Sequence, residues 1–162
     1  TFGTYHLPAA QMDRFIIKIS IGYPDKKEEL DILMRNDDSL SPKQLPQVIT
    51  CEEIVELSEQ VKNVYCSEAV REYIVDIVAA TRNADFIKLG VSPRGSIAMY
   101  NMAKAYAFMK GRNYVLPDDV KELAIPVLAH RIILRGIHHK MTSEQFLRDL
   151  LNQLPVPTEE RV

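Results

Sequence analysis

The sequence predicts a mostly α-helical bundle that is preceded by one strand segment. Residues 14–21 form a short β-branched run with isoleucine at four positions, and Gly22 and Pro24 end it. Both faces of the run are apolar, which is typical of a strand buried in a parallel sheet. From Pro24 onward apolar residues recur at helical spacing, and no later segment has the pattern of a partner strand. We therefore expect the rest of the sheet to be encoded upstream, and residues 14–21 to be disordered, packed irregularly on the helices or paired with another copy.

The first three helices have clear start signals. Pro24 stands near the first start, and its first turn is rich in acidic residues, namely Asp25, Glu28 and Glu29. After a polar connection over residues 36–47, Thr50 and Glu53 form a capping box that opens the second helix. One face of this helix is apolar, at Ile54, Leu57, Val61 and Val64. Ser67 is predicted to cap the third helix, whose buried stripe would comprise Val70, Ile74, Ile77 and Val78.

The next helix is predicted to lie at the centre of the bundle. After a loop over residues 83–90, Ser92 and Pro93 indicate its start, because a capping residue is followed by proline at the first helical position. The helix is apolar nearly all round, which is typical of a helix surrounded by others. Gly111 should end it.

Two further helical segments follow. Pro117 opens the first of them, and Pro126 predicts a kink or a division into two short helices. Thr142 and Gln145 form a second capping box, which opens the last helix. Prolines at 155 and 157 end the ordered part.

Composition excludes several classes of protein. The 162 residues suit one domain, or one small domain with a piece of another, and a hydrophobic fraction of 46% allows a core. The net charge is −2 and basic residues are not concentrated, so we expect no nucleic-acid partner. No apolar run approaches the roughly 20 residues that cross a bilayer, so we expect no membrane partner. The N-terminus has no signal-peptide pattern and no initiator Met, which leads us to expect an excised fragment.

The two cysteines, Cys51 and Cys66, have no further cysteine nearby that could complete a metal site. We interpret them as free thiols in a reducing compartment, which predicts a cytoplasmic protein. A disulfide between them is the minor alternative.

No complete active site is encoded. The lysine-containing phosphate loop is missing, although residues 90–95 place two glycines at a similar spacing. No nucleophile–histidine–acid set and no zinc-ligand spacing stands out. His138 and His139 form the only histidine cluster, but adjacent residues on a helix or strand point to different sides. We expect no metal site in this chain.

Arg94 is a candidate phosphate ligand. It lies near the second position of its predicted helix, where the helix dipole already places roughly 0.5 of an elementary positive charge. A guanidinium there is unfavourable for the helix unless an anion lies beside it. A phosphate would gain from the free N–H groups, the dipole and the forked donor together. The alternative is a surface arginine that extends into water.

Arg14 directly precedes the strand segment. Function in parallel-sheet proteins gathers at the carboxyl ends of strands, and Arg14 lies at the other end. It should therefore not serve its own site, but it could serve the site of a neighbouring subunit in a ring. By pattern alone, the favoured alternative is an ion pair with Asp13 or another local carboxylate.

Several blocks together resemble the MoxR family of AAA+ ATPases, which is similar to magnesium-chelatase subunits. Near the N-terminus these are Gly3-Thr4-Tyr5, Leu7-Pro8, Ala10-Gln11, Asp13-Arg14-Phe15 and Ile21-Gly22-Tyr23-Pro24. The segment Gly90-Val91-Ser92-Pro93-Arg94-Gly95 resembles the family's second-sensor motif. Two later blocks resemble its final helices, Tyr114-Val115 with Pro117-Asp118-Asp119-Val120 and Val127-Leu128-Ala129-His130-Arg131. The blocks span nearly the whole chain in the family's order.

The resemblance implies a division of the chain. Residues 1–23 would be the C-terminal end of an α/β AAA+ core with its last strand, residues 24–155 the helical lid and residues 156–162 a tail. Arg94 would be the second sensor that contacts the ATP γ-phosphate of its own subunit, with Ser92 and Pro93 at the same binding site. Arg14 would be the arginine finger that acts in trans on the neighbouring subunit.

The resemblance also implies what the full-length protein does. It would bind ATP with Mg²⁺, assemble into a ring that we expect to be a hexamer, and hydrolyse ATP. Hydrolysis would be coupled to remodelling or maturation of client proteins, some of them with von Willebrand factor A domains. This chain alone lacks the Walker motifs, so it should hold no cofactor and be inactive.

The sequence also departs from the family pattern. Phe2 and Ala9 stand where the family usually has Glu, and His6 replaces a usual Pro, which puts the role of nearby Arg14 in question. Leu116 replaces the usual Thr cap, which should weaken that helix start by about 1 kcal/mol.

Two other functions remain open at this point. The helices over 68–82 and 93–110 could form a DNA-binding helix-turn-helix, but a recognition helix needs exposed polar and basic side chains. The second of these helices carries Arg94, Lys104 and Lys110 as its only cations. The other alternative is a helical protein-interaction module with no nucleotide role.

Overall fold

The structure, a computed structural model, describes residues 7–37, 46–136 and 141–158. Within these ranges it is mostly helical, as predicted, with helices α1 (Ala9–Met12), α2 (Lys26–Asp37), α3 (Cys51–Lys62), α4 (Glu68–Asn83), α5 (Pro93–Met109), α6 (Pro117–Leu128) and α7 (Ser143–Gln153). A 3₁₀ turn, Ala129–Arg131, follows α6. Two short strands, β1 (Ile87–Leu89) and β2 (Ile133–Leu134), pair antiparallel.

The chain divides into two compact units, one of residues 1–18 and 60–162 and the other of residues 19–59. In the smaller unit, the capping box of Thr50 and Glu53 is confirmed, since each residue accepts a hydrogen bond from the other's backbone amide. The carboxylate of Asp25, rather than Pro24, supports the start of α2, because it accepts from the amides of Lys27 and Glu28 at 2.8 Å. Apolar side chains of α2 are exposed, at Leu30, Leu33 and Met34. Of the apolar face predicted for the next helix, Ile54 and Leu57 are exposed, whereas Val61 is half-buried and Val64 is buried.

The core of the larger unit lies between α4, α5, α6 and α7. The stripe predicted for α4 is fully buried, at Val70, Ile74, Ile77 and Val78. Helix α5 contacts α4 and α6, whereas α6 contacts α4, α5 and α7, so α6 rather than α5 is the most central helix. Helix α5 is also not buried all round, because Ile97 is 62% exposed. Each fully buried aliphatic side chain contributes about 1.5–3 kcal/mol, so this core accounts for the compactness of the unit.

Capping signals of the larger unit are confirmed at three places. Ser67 accepts a hydrogen bond from the amide of Val70, and Thr142 and Gln145 cap each other. Helix α5 ends as predicted at Gly111, whose φ of 74° favours glycine. The amides of Gly111 and Arg112 then satisfy the last carbonyls of the helix.

Residues 14–21 do not form a strand in the structure. A strand needs a neighbouring strand for its backbone hydrogen bonds, and among the described residues none lies beside this segment. Residues 13–18 instead lie irregularly on the end of α6, where the amide of Lys18 donates to the carbonyl of Pro126 at 2.8 Å. For residues 14–18 this is one of the three outcomes expected for the segment, whereas Ile19 and Ile21 are exposed.

The loop predicted over residues 83–90 contains β1, which the sequence pattern missed. The strand has three residues and its partner has two, too few for a periodic signal. Helix α6 is not divided into two short helices, because it continues through Pro126 to Leu128 before the 3₁₀ turn. Among the residues described, no helix has both the length and the apolar character needed to span a bilayer.

Asp119 supports the start of α6 in place of the missing Thr cap. Its carboxylate accepts from the amide of Leu116 at 2.8 Å, and both oxygens pair with the guanidinium of Arg112 at 2.6 and 2.9 Å. The Asp119 side chain is 6% exposed and that of Arg112 is 21% exposed. The forked pair therefore offsets the weakness predicted at Leu116.

We predict that Asp119→Ala lowers the free energy of unfolding by about 3 kcal/mol, because it leaves a half-buried guanidinium and a helix start without their partner. The matched control is Asp118→Ala in the same turn, where the carboxylate is 83% exposed and 3.7 Å from Lys121. The control should cost less than about 1 kcal/mol. Equal effects of the two substitutions in chemical denaturation would contradict this role.

Candidate functional site

The start of α5 is held firmly against the end of α4. The amide of Val91 donates to the hydroxyl of Thr81 at 3.0 Å, and Arg82 Nε donates to the carbonyl of Val91 at 2.8 Å. A Cβ atom at Gly90 would lie 2.6 Å from the carbonyl oxygen of Thr81. Because the backbone approaches α4 this closely, only glycine fits here.

Gly95 serves a second close approach. A Cβ atom there would lie 2.2 Å from Val91 Cγ1 and 3.2 Å from Arg131 Cδ. The two glycines of residues 90–95 therefore let α5 begin against α4 and against the stem of Arg131. Packing, rather than a phosphate loop, explains their spacing.

Arg131 is the buried centre of the site, with its side chain 1% exposed. Its Nε donates to the carbonyl of Val127 at 2.9 Å, within its own segment. Its Nη2 donates to the carbonyl of Phe15 at 2.6 Å. Its Nη1 donates to both the carbonyl and the carboxylate of Asp13, the latter at 2.8 Å. A buried guanidinium is tolerated only when its donors are satisfied in this way.

Asp13 joins Arg131 to the start of α5. Its other carboxylate oxygen accepts a hydrogen bond from Ser92 Oγ at 2.8 Å. Burial by itself raises the pKa of this carboxyl group, but the hydrogen bonds from Ser92 and Arg131, with the charges of Arg131 and Arg94, outweigh it. The pKa of Asp13 therefore lies below its ordinary value, and the group stays ionised at neutral pH.

Ser92 was predicted to cap α5, but its side chain makes no capping hydrogen bond. It is the residue before the helix. Its hydroxyl donates a hydrogen bond to the ionised carboxylate of Asp13, which is a strong acceptor. Pro93 follows at the first helical position and has no N–H to satisfy. The first turn of α5 is thus left without a side-chain cap.

Arg14 and Arg94 line one surface depression of about 460 Å³, together with Ala10, Gln11, Asp13, Ser92 and Pro93. Both arginines are exposed. Within the described part of the chain, neither guanidinium has a hydrogen-bond or ion-pair partner. The ion pair with Asp13 considered for Arg14 is not formed, since the carboxylate of Asp13 binds Arg131 and Ser92. The depression therefore presents two free cations beside an uncapped helix start, an arrangement suited to an anion.

The sequence indicates Arg14 and Arg94 as two separate candidates and does not predict that they line the same depression. It also missed Asp13 and Arg131 as part of the site. Asp13 was visible only as a neighbour of Arg14, and Arg131 only as the last residue of a family-like block. Nothing in the spacing of residues 13 and 131 could have paired them.

Across residues 7–37, 46–136 and 141–158, no three His, Cys, Asp or Glu side chains group as metal ligands would. His138 and His139 lie outside the described residues, so the interpretation of that pair stays a prediction. Phe2 and His6, two of the departures near Arg14, also lie outside them.

Known proteins resemble this chain in both sequence and fold. Residues 79–150, which carry Arg94 and Arg131, match the AAA lid domain. The helical unit around the depression is therefore the lid of an AAA+ ATPase. Protein YeaC of Bacillus subtilis is 42% identical over 159 residues, which cover 97% of this chain and 50% of YeaC.

Chaperone MoxR1 of Mycobacterium tuberculosis is 36% identical over 166 residues, which cover 96% of this chain and 44% of that protein. The crystal structure of a proposed ATPase from Cytophaga hutchinsonii superimposes with a TM-score of 0.86 at 34% identity, over 96% of this chain and 51% of that one. The chain belongs to the MoxR family of AAA+ ATPases. It spans about half the length of the curated relatives that it matches.

His130, next to Arg131, makes the stability of this region depend on pH. Burial lowers the pKa of its imidazole, and the charges of Arg131 and Lys18 lower it further, although a hydrogen bond to the carbonyl of Phe15 opposes them. The folded state therefore resists protonation of His130. Its contribution to stability is complete above the ordinary histidine pKa and is lost as the pH falls through the lowered value.

We predict that the free energy of unfolding falls as the pH is lowered from about 7.5 to 5, and that His130→Gln makes this fall smaller. The glutamine can keep a hydrogen bond to the carbonyl of Phe15 but does not titrate. Chemical denaturation at a series of pH values measures both slopes. Identical slopes in the two proteins would contradict the assignment.

Proposed function

We propose that this chain is the lid portion of a MoxR-type ring ATPase, and that the full-length protein hydrolyses ATP to remodel or mature client proteins. The observation that carries the proposal is the exposed guanidinium of Arg94 at the uncapped start of α5, which lines a surface depression and has no partner among the described residues. Membership of the family supports ATP as the anion that binds here. The name of chaperone MoxR1 supports client proteins as the molecules on which the ATPase acts.

Arg94 is proposed as the second sensor, which binds the γ-phosphate of the nucleotide in its own subunit. It occupies the second position of α5, where the helix dipole adds positive charge and the first turn has no side-chain cap. An exposed cation at this end of a helix is unfavourable until an anion arrives. The site is therefore arranged to favour the phosphate-bound state.

Arg14 is proposed as the arginine finger, which reaches the phosphate bound by the neighbouring subunit. Its exposure and its lack of a partner among the described residues leave it available for such a contact. A guanidinium at this position stabilises the charge that develops on the transferred phosphoryl oxygens.

The residues of the depression fit the triphosphate but not its metal ion. The carboxylate of Asp13 is already engaged by Arg131 and Ser92, and among the described residues no other carboxylate lines the depression. Parts of the full-length protein outside this chain would therefore hold Mg²⁺, which supplies charge neutralisation between the phosphates. For the same reason, and because the Walker motifs are not in the sequence, the isolated chain should not hydrolyse ATP.

The remaining parts of the proposal rest on the family. Subunits would assemble into a ring, with six as the expected number, and clients would include proteins with von Willebrand factor A domains. Cys51 and Cys66 are both free thiols, which supports a reducing compartment such as the cytoplasm.

The DNA-binding alternative is weakened by one observation. Lys104, one of the three cations counted on α5, is buried and donates to the carbonyl of Lys62 at 2.6 Å. It therefore cannot reach a base edge. A helical interaction module without nucleotide remains the competing function, and the following experiment separates the two.

We predict that Arg94→Ala in the full-length protein lowers kcat for ATP hydrolysis about 10²-fold, because it removes a donor to the γ-phosphate. The matched control is Arg148→Ala, which removes an exposed arginine of α7 away from the depression. Steady-state hydrolysis compares the two. If hydrolysis by Arg94→Ala equals that of the control, the sensor role is wrong and the interaction module is favoured.

A second prediction tests whether the two arginines act in different subunits. Arg14→Ala should lower kcat about 10³-fold or more. If Arg94 acts in its own subunit and Arg14 in the next, mixing equal amounts of Arg14→Ala and Arg94→Ala protein restores intact sites at about a quarter of the interfaces. The hydrolysis rate of the mixture should then exceed that of either variant alone. A mixture no faster than its components, with mixed rings verified by mass spectrometry, would place both arginines in one subunit.

A further inference from the structure

The proposed sites of Arg14 and Arg94 leave one polar network without a role. Asp13, Arg131 and Ser92 are joined by hydrogen bonds of 2.8 Å, and they connect the two segments that carry the arginines. Asp13 directly precedes Arg14 in the chain, and Ser92 lies two residues before Arg94. Neither Asp13 nor Arg131 is available for a nucleotide, since each is satisfied by the other.

We infer that Asp13 and Arg131 are positioning residues that fix Arg14 relative to Arg94, with Ser92 as the link to the start of α5. The inference rests on the proposed function and deepens it. The network would hold the finger in a fixed relation to the sensor of the same chain.

The geometry of Arg131 supports a positioning role. It donates to the carbonyls of residues 13, 15 and 16, so one side chain holds the backbone on both sides of Arg14. The backbone at Phe15 also lies 3.0 Å from His130 Nε2. The backbone at residues 13, 15 and 16 is thereby fixed to the 3₁₀ turn that follows α6, although these residues form no regular secondary structure.

Contacts with three segments of the chain fix the position of the Arg131 side chain. Its stem lies against Gly95, where a Cβ atom would be 3.2 Å from Arg131 Cδ, and its Nε donates to the carbonyl of Val127. Arg131 is therefore packed between the first turn of α5, the end of α6 and residues 13–16. A movement of α5 at Arg94 would reach Asp13 through both the hydrogen bond from Ser92 and this packing.

The expected effect is kinetic. A displacement of about 1 Å in a group that stabilises the transition state can cost about 10²-fold in rate. Removing the carboxylate of Asp13, or the hydroxyl of Ser92 that binds it, should therefore lower kcat while the KM for ATP changes little. A loss of folding would instead lower the amount of active protein and leave the kcat of the remainder unchanged.

The test uses the full-length ring and a double-mutant cycle. Asp13→Asn and Ser92→Ala are each made in the natural protein and in Arg14→Ala, and ATP hydrolysis is measured in single turnovers. If Asp13 and Ser92 act by positioning Arg14, each lowers the rate tenfold to 10²-fold in the natural background and has almost no effect when Arg14 is absent. Ser92→Thr, which keeps the hydroxyl, should restore the rate lost in Ser92→Ala.

The outcomes separate the inference from the function on which it rests. If Asp13→Asn and Ser92→Ala lower the rate by the same factor with and without Arg14, or not at all, the positioning role is overturned. If Arg14→Ala and Arg94→Ala themselves leave hydrolysis unchanged, the proposed function fails first. Should Asp13→Asn fail to fold, the cycle with Ser92→Ala decides, because it leaves the pairing of Arg131 with Asp13 in place.

Discussion

The burial of one guanidinium is the constraint on which the organisation of the site depends. Arg131 is almost wholly removed from water, so its donors must be satisfied by the chain itself. They are satisfied by an irregular segment, residues 13–16, and by the last turn of α6. A segment with no ladder of its own is thus held in place by a side chain 118 positions away in sequence. Arg14 owes its location to this attachment.

The same constraint explains the unusual chemistry at the start of α5. Two guanidinium groups, Arg94 and Arg131, lie near a helix end that already carries positive charge. The ionised carboxylate of Asp13 compensates part of this charge and accepts a hydrogen bond from Ser92, whose side chain does not cap the helix. The helix start is left able to accept an external anion. The missing cap destabilises the first turn of α5. The hydrogen bond of Val91 to Thr81 and the close packing of Gly90 on α4 offset this destabilisation.

At the start of α6, likewise, an ion pair replaces the usual side-chain cap. This start lacks the side-chain cap that the family pattern would provide, and the forked pair of Asp119 with Arg112 stabilises it from a neighbouring turn. Both helix starts show that a local signal in sequence can be replaced by a contact made through the fold. In each case the replacement is charged, and a charged hydrogen bond is stronger than a neutral one.

The sequence by itself determined the helical class, the buried stripe of α4, the capping boxes of Thr50 and Thr142, and the end of α5, because these depend on neighbours within a few residues. It also indicated Arg94 and Arg14 as candidates, from their positions at element ends and from family resemblance. The tertiary structure alone decided that residues 14–21 form no strand, that Ser92 binds Asp13 rather than its own helix, and that Arg131 joins the two arginines. These features depend on which partners are within reach, and hydrogen bonds between residues far apart in sequence leave no periodic signal.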